Sequence, residues 1–410
     1  MTLEVRAIRE NEKEECLSLW KTAFSFEGSD AYFRRYFEGD VDWLPYYTQV
    51  AALDGKIVSA VHIVKRTVSM PDFTLTMGGI ANVATLPEFR NRGYNAQCLN
   101  AAIRIMEADA MDFSLLFTGI HDYYRRFGFA SLPLHELTGS LKPALKLPVT
   151  PYLVRPATSA DLPAIRHLYN LYNLHRPLSV CRSDAYWRDW IGIEKPGALD
   201  EILVATETSS GKDAVPVGYV WVADRLRFSE TPKSVPDELT LHEFGTAPDA
   251  DPEIALALFS FASRWAQQYG ATRLCLKLPQ EPAVREAFTS LTENGKSRSE
   301  GGAMARLLNR SALLNSLALI RTDKHCESST ETSASVVVET PYGNTEIVAQ
   351  PFRLSTRETD APAQISQSEF FAALFGVSSP QEKTLPPETK SLLTLLFTGG
   401  NPHYASKDGF

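Results

Sequence analysis

The stretch from Tyr47 to Thr85 constrains the fold more than any other part of the chain. Two strand-like runs, 47–53 and 57–64, flank Asp54-Gly55, and such a dipeptide between apolar runs favours a tight antiparallel hairpin. A further strand pair brackets Pro71-Asp72 and ends in Ile80-Ala81-Asn82-Val83-Ala84-Thr85. Ahead of it, alternation at Leu3, Val5, Ala7 and Ile8 predicts a strand, and helical spacing predicts helices over 10–24 and 30–37. Behind it come a helix over about 92–110, with Leu99, Ala102 and Met106 along one face, and a short buried strand over 113–117. The order predicts an α+β unit with a mixed, mainly antiparallel sheet flanked by helices.

Something similar restarts near residue 152. Val154-Arg155-Pro156-Ala157 echoes Val5-Arg6-Ala7-Ile8, and each precedes an acidic, helix-starting stretch, Asp161-Leu162 beside Glu14-Glu15. Strands are predicted over 216–221, 239–244 and 274–278, with a helix over 254–269 between the last two. A Pro-rich linker over 142–151 separates the two halves, and a polar, Gly-bearing stretch over 293–302 marks a second boundary. Beyond it, 303–319 reads as helical, followed by strands over 336–339 and 346–349 and helices over 368–374 and 388–396. A chain of 410 residues has room for two or three domains. Three are expected: 1–150, 151–298 and 299–410.

The charge balance of 41 Lys+Arg against 49 Asp+Glu disfavours nucleic acid as a partner. The five cysteines form no CxxC pair and the eight histidines no HExxH motif, so neither a metal nor a disulfide framework is expected. The apolar runs are too short for a bilayer and the N-terminus is charged where a secretion signal would be apolar. A cytoplasmic protein without a membrane partner is the expectation.

Chemistry concentrates in two places. In Val83-Ala84-Thr85-Leu86-Pro87-Glu88-Phe89-Arg90-Asn91-Arg92-Gly93-Tyr94-Asn95-Ala96 a strand ends, a basic loop turns and a helix begins. Backbone N–H groups of such a loop and of the helix N-terminus converge on one spot that suits a pyrophosphate, and Gly93 permits the tight turn. The second place is Phe117-Thr118-Gly119-Ile120-His121-Asp122-Tyr123-Tyr124-Arg125-Arg126-Phe127-Gly128-Phe129. Taken alone, these segments also read as an ordinary strand-to-helix turn and as packing tyrosines.

Arg90-Asn91-Arg92-Gly93-Tyr94-Asn95 resembles the R/Q-x-x-G-x-G/A signature of the GNAT superfamily of N-acetyltransferases, with Asn95 where Gly or Ala is usual. Tyr124-Arg125-Arg126-Phe127-Gly128-Phe129 is similar to the Y-x-R-F-G-F/Y element of the same superfamily. The resemblance implies that Val83, Ala84 and Thr85 meet the pantetheine arm of acetyl-CoA, that Arg90 to Ala96 hold its pyrophosphate with Gly119 and Ile120 nearby, and that Tyr124 protonates the leaving thiolate. His121 is a second candidate acid, and Cys98 reads as core. The aromatics Phe24, Phe26, Tyr32, Phe33, Tyr36 and Trp43 read as core or as acceptor-cleft lining.

Over its whole length the sequence resembles the Eis (enhanced intracellular survival) family. That implies two tandem GNAT domains, the second without a cofactor site because 244–252 carries acids and prolines where the loop would be, and a sterol-carrier-like third domain. It further implies that the terminal carboxylate of Phe410 is the general base, that a primary amine (aminoglycoside-like, polyamine or lysine) accepts the acetyl group, and that the chain forms a homo-oligomer, a hexamer in that family. A non-catalytic acetyl-CoA or ligand sensor is the alternative reading.

Overall fold

In the computed structural model the described residues are 2–26, 28–195, 197–210, 214–222, 226–228, 236–299, 301–309, 334–350, 353–377, 385–396, 402, 404 and 408. Three sheets organise them, with the helices α1 (Lys13–Ala23), α2 (Ser29–Glu38), α3 (Tyr94–Ala108), α4 (His121–Arg125), α5 (Leu162–Asn173) and α6 (Glu253–Gln268) among the connections. The first contains β1 (Leu3–Ala7), β2 (Thr48–Leu53), β3 (Lys56–Ser69), β4 (Thr74–Thr85), β5 (Phe113–Phe117) and β6 (Ala130–Ser131). The second contains β7 (His135–Leu141), β8 (Tyr152–Pro156), β9 (Ile202–Glu207), β10 (Gly218–Val222), β11 (Glu238–Thr246), β12 (Arg273–Leu276) and β13 (Thr292–Ser299). The strand β14 (Ala303–Leu307) returns to the first sheet, whose order is β1-β2-β3-β4-β5-β14-β6, while the second runs β13-β7-β12-β11-β10-β9-β8.

The expected borders after residues 150 and 298 therefore follow the chain but not the sheets. β7, which precedes the linker, lies between β12 and β13 of the second sheet. β14, which follows the second boundary, lies between β5 and β6 of the first. Two corrections follow. Residues 303–307 are a strand, not the start of a helix. All five are buried, and an unbroken buried run carries no alternation to separate strand from helix. The polar stretch expected as a boundary forms β13, an exposed strand that borrows its order from β7. Residues 310–319 of the expected helix lie outside the described residues.

The echo between the halves is physical. Arg6 donates to both oxygens of Glu12 (2.8 and 2.7 Å) and to the carbonyl of Ala7. Arg155 does the same with Asp161 (2.7 and 2.8 Å) and Pro156. The acid matching Asp161 is thus Glu12, six residues after its arginine, rather than the Glu14-Glu15 pair.

The halves are also stitched directly. Ser69 N–H donates to Ser179, and Cys181 N–H to Thr67, so that a short segment of the second half extends the β3 edge beyond its pairing with β2. A three-stranded antiparallel sheet, β15 (Ala334–Val338), β16 (Thr345–Gln350) and β17 (Arg353–Glu358), stands beside them with helices Gln367–Leu374 and Pro387–Leu396. Phe371 and Phe375 pack on Phe113 of β5, and Gln367 donates to the Gly128 carbonyl. One apolar cluster runs through all three parts, from Trp20 and Phe113 through Trp190 to Phe371 and Leu393. Among the described residues no helix is long and apolar enough to cross a membrane.

His62 of β3 sits inside that core against the rings of Trp20, Tyr36 and Phe37. Its Nδ1 lies 2.8 Å from Thr48 Oγ1, and Nε2 has no partner among the described residues. Burial first, and the Arg66 charge second, bring its pKa down to about 3. The unfolded chain takes up this proton near pH 6.5 and the folded chain does not, so stability is lost as pH falls from about 6.5 toward 3, by about 1.4 kcal/mol per pH unit. Denaturant unfolding at pH 7, 6 and 5 should show a slope against pH that is shallower by one proton in His62→Gln; equal slopes would refute the assignment.

Candidate active site

The site begins where two strands part. β4 and β5 pair in parallel only over Met77–Gly79 and Phe113–Leu115. Beyond that point β4 pairs, among the described residues, only with β3, and its register shifts between Ala60 and His62. Asn82, with φ of +48°, provides the extra residue, and such a bulge bends a strand away from its neighbour. Val83, Ala84 and Thr85 form the tip of the freed strand. Ser59 Oγ donates to the Ala84 carbonyl and lies 2.8 Å from Thr85 Oγ1, holding that tip to β3.

The chain then turns through Pro87–Phe89 and the loop at Arg90 to enter the helix α3 (Tyr94–Ala108). Asn91 and Gly93 both adopt positive φ, +61° and +77°. A Cβ on Gly93 would meet nothing within 4 Å, so glycine is required there by backbone conformation and not by space. Among the described residues no side chain caps α3, and its first-turn N–H groups have no helical carbonyl to reach, an arrangement that suits an anion. Arg90 donates to the Thr85 carbonyl and Arg92 rests on the Phe89 ring, which places two exposed guanidinium groups at the mouth.

Tyr124 arrives from the other strand. β5 ends at Phe117, and after Gly119 the short helix α4 (His121–Arg125) turns Tyr124 inward. Its ring is buried, edge-on to Tyr123 and Phe129. Among the described residues its hydroxyl has no hydrogen-bond partner, and burial, with Tyr123 second, pushes its pKa up to about 12. Tyr123 donates to Asn95 Oδ1 at 2.7 Å. The residue that departs from the GNAT signature therefore fastens α4 to the start of α3.

Val83, Ala84, Thr85, the residues from Arg90 to Asn95, Ile120 and Tyr124 line one cleft of about 370 Å³, closed on another side by Ala23 and Phe24 at the end of the helix α1 (Lys13–Ala23). Ala96 lies in the first turn of α3 and Gly119 precedes α4; neither lines the cleft. Phe410 lies outside the described residues. Phe89 and Tyr123 also line the cleft, though neither stood out in the sequence beside its motif neighbour.

His121 Nδ1 lies 3.2 Å from Ser131 Oγ, away from the cleft. Cys98 is fully buried and its thiol is pushed up to about 12 by burial. Among the aromatics, Phe33 and Tyr36 are core, with Tyr32 and Trp43 half-buried against it, while Phe24 and Phe26 are 40% and 47% exposed. In the second half, the loop after β11 leads to the helix α6 (Glu253–Gln268), and Asp251 Oδ1 accepts the Glu253 N–H at 2.9 Å. The carboxylate occupies an amide that its counterpart at α3 leaves open.

Residues 4–132 match the family described as acetyltransferase (GNAT) domain. The fold of the whole chain is similar to a GCN5-related N-acetyltransferase from Anabaena variabilis, with TM-score 0.66 and 15% identity over 98% of this chain and 99% of that one. It is similar as well to a GCN5-related N-acetyltransferase from Kribbella flavida, with TM-score 0.62 and 16% identity over 98% and 97%. Eis1 from Mycobacterium abscessus matches with TM-score 0.61 and 14% identity over 98% and 99%. At these identities the likeness is one of fold. No curated protein matches the sequence.

The left-handed turn at Gly93 should govern anion binding. Gly93→Ala forces a side chain into a conformation that costs roughly 1–2 kcal/mol. Calorimetry should show acetyl-CoA binding weakened about tenfold; an unchanged affinity would separate this turn from the binding site.

Proposed function

We propose that the chain is an acetyl-CoA-dependent N-acetyltransferase in which a primary amine attacks the acyl carbon directly. The observation that carries the reading is the convergence of three features on one cleft: the edge of β4 left unpaired among the described residues, the start of α3 uncapped among them, and Tyr124. The residues fit the co-substrate. An extended arm can add to a strand edge whose neighbour has turned away, and a pyrophosphate suits open helical amides flanked by Arg90 and Arg92. Acetyl-CoA, when bound, supplies an activated acyl group and a thiol leaving group.

The chain's own groups then have distinct tasks. Backbone amides near Val83 to Thr85 polarise the acyl oxygen. Tyr124, with a pKa near 12, keeps its proton throughout neutral pH and releases it only where negative charge builds on the departing sulfur. The reading assigns the general-base role to the terminal carboxylate of Phe410, by resemblance to the Eis family. A carboxylate of ordinary pKa, about 3.5, would need burial or a relaying water to serve. The same resemblance supports a sterol-carrier-like third domain and a homo-oligomer; the net charge of −8 suits a cationic acceptor such as an aminoglycoside, a polyamine or a lysine side chain.

The reading is tested by free-thiol release from acetyl-CoA against a panel of these amines, with binding measured beside it. Amine-dependent release supports it; binding without release by any amine contradicts it. Tyr124→Phe should lower kcat by about 10²- to 10⁴-fold with acetyl-CoA affinity unchanged, and unchanged turnover would remove Tyr124 from the acid role. Residues added after Phe410 should abolish turnover while leaving the fold intact; a fully active extended protein would refute the carboxylate base.

A further inference from the structure

Asn95 stands in the first turn of α3, where the GNAT signature has glycine or alanine. Asparagine forms helix less readily than alanine, which leaves a cost for some contact to offset. One such contact is the bond that Oδ1 accepts from the Tyr123 hydroxyl at 2.7 Å. Tyr123 is itself held in place. Its ring lies edge-on to Tyr124 at 5.0 Å and against Phe127 at 5.3 Å, with the Arg126 guanidinium 4.8 Å from its centre. Burial raises the pKa of its hydroxyl above the ordinary tyrosine value, so the group keeps its proton throughout neutral pH.

A carboxamide has an accepting end and a donating end. With the oxygen of Asn95 bound to Tyr123, the amide nitrogen lies at the other end, and it has no partner among the described residues. Asn95 is half-buried and lines the cleft together with the loop from Arg90 to Tyr94. Its Nδ2 donors therefore stand beside the first-turn backbone amides of α3. The arginines of the loop are engaged locally, Arg90 with the Thr85 carbonyl and Arg92 with the Phe89 ring. A group that meets side-chain and backbone donors on one helical turn must offer several acceptor oxygens, and phosphate does so. An ammonium or an apolar group would leave the same donors without acceptors.

We infer that the Asn95 amide donates directly to the pyrophosphate of the co-substrate, and that Tyr123 orients it to do so. The identity of the ligand rests on the acetyltransferase reading. Alanine at this position would leave the phosphates to backbone amides and the loop arginines. Asparagine adds a side-chain grip and ties it, through Tyr123, to the lip that carries Tyr124.

The test measures acetyl-CoA binding by calorimetry, and its displacement by ADP, which carries a diphosphate and no pantetheine arm. Asn95→Ala should weaken both ligands about tenfold or more, as expected for losing a hydrogen bond to a charged oxygen. Asn95→Asp keeps an acceptor for Tyr123 and puts an acid where a helix start favours one. Its Tm should be no lower than the parent's, while both ligands weaken further than in Asn95→Ala. Tyr123→Phe removes the bridge but keeps the donors, and should weaken both ligands by less than about threefold. The double variant Asn95→Ala/Tyr123→Phe should bind as Asn95→Ala does, because Tyr123 acts through Asn95. Parent-like affinity in Asn95→Ala or Asn95→Asp, or a loss in Tyr123→Phe as large as in Asn95→Ala, would overturn the donor role. ADP unaffected in Asn95→Ala while acetyl-CoA weakens would overturn the phosphate as the acceptor. Losses that multiply in the double variant would overturn the orienting role of Tyr123. If the parent binds acetyl-CoA but releases no thiol with any amine, the transferase reading fails and these affinities alone decide the role of Asn95; a parent that binds neither ligand overturns both.

Discussion

Parallel pairing between β4 and β5 lasts from Met77 to Gly79 and ends short of Asn82, where the backbone turns left-handed, and the cleft opens where β4 has no new neighbour on that side among the described residues. Backbone amides and carbonyls on such an edge need water or an extended ligand to satisfy them. The same parting lets α3 start at one lip and α4 at the other, so that the start of α3 and Tyr124 line a common space. Tyr123 and Asn95 bridge the two lips and fix the spacing that the parting opens.

Local signals made the first sheet readable. Asp54-Gly55 forces a turn by its own conformational preferences, and Gly93 marks a left-handed position before a helix; both are properties of a few neighbouring residues. The loop and the tyrosine could be paired as a site because each sits at a strand end with a recognisable motif. What stayed hidden depends on partners far along the chain. β14 is buried on both faces by strands and helices that the sequence does not place beside it. Nothing in the sequence pairs Asp408 with Arg182, 226 residues earlier, which holds it in the structure. Asn95 reads as a flaw in the motif until Tyr123 supplies the reason for it.

The two halves start from the same lock, arginine on carboxylate across a strand and a helical turn, with nearly identical distances. They then diverge at the corresponding loops. Among the described residues no side chain accepts from the first turn of α3 behind Gly93, whereas Asp251 accepts the first N–H of α6.

The exchange of β7 and β14 also sets an order of events during synthesis. Arg306 of β14 donates to the carbonyl of Phe127 across 179 residues, so the first sheet cannot close until nearly all of the second has left the ribosome. At about 5–20 residues per second, that interval is on the order of ten seconds or more. Throughout it, β5 presents an apolar edge that β14 covers only later, and such an edge is open to pairing with another molecule.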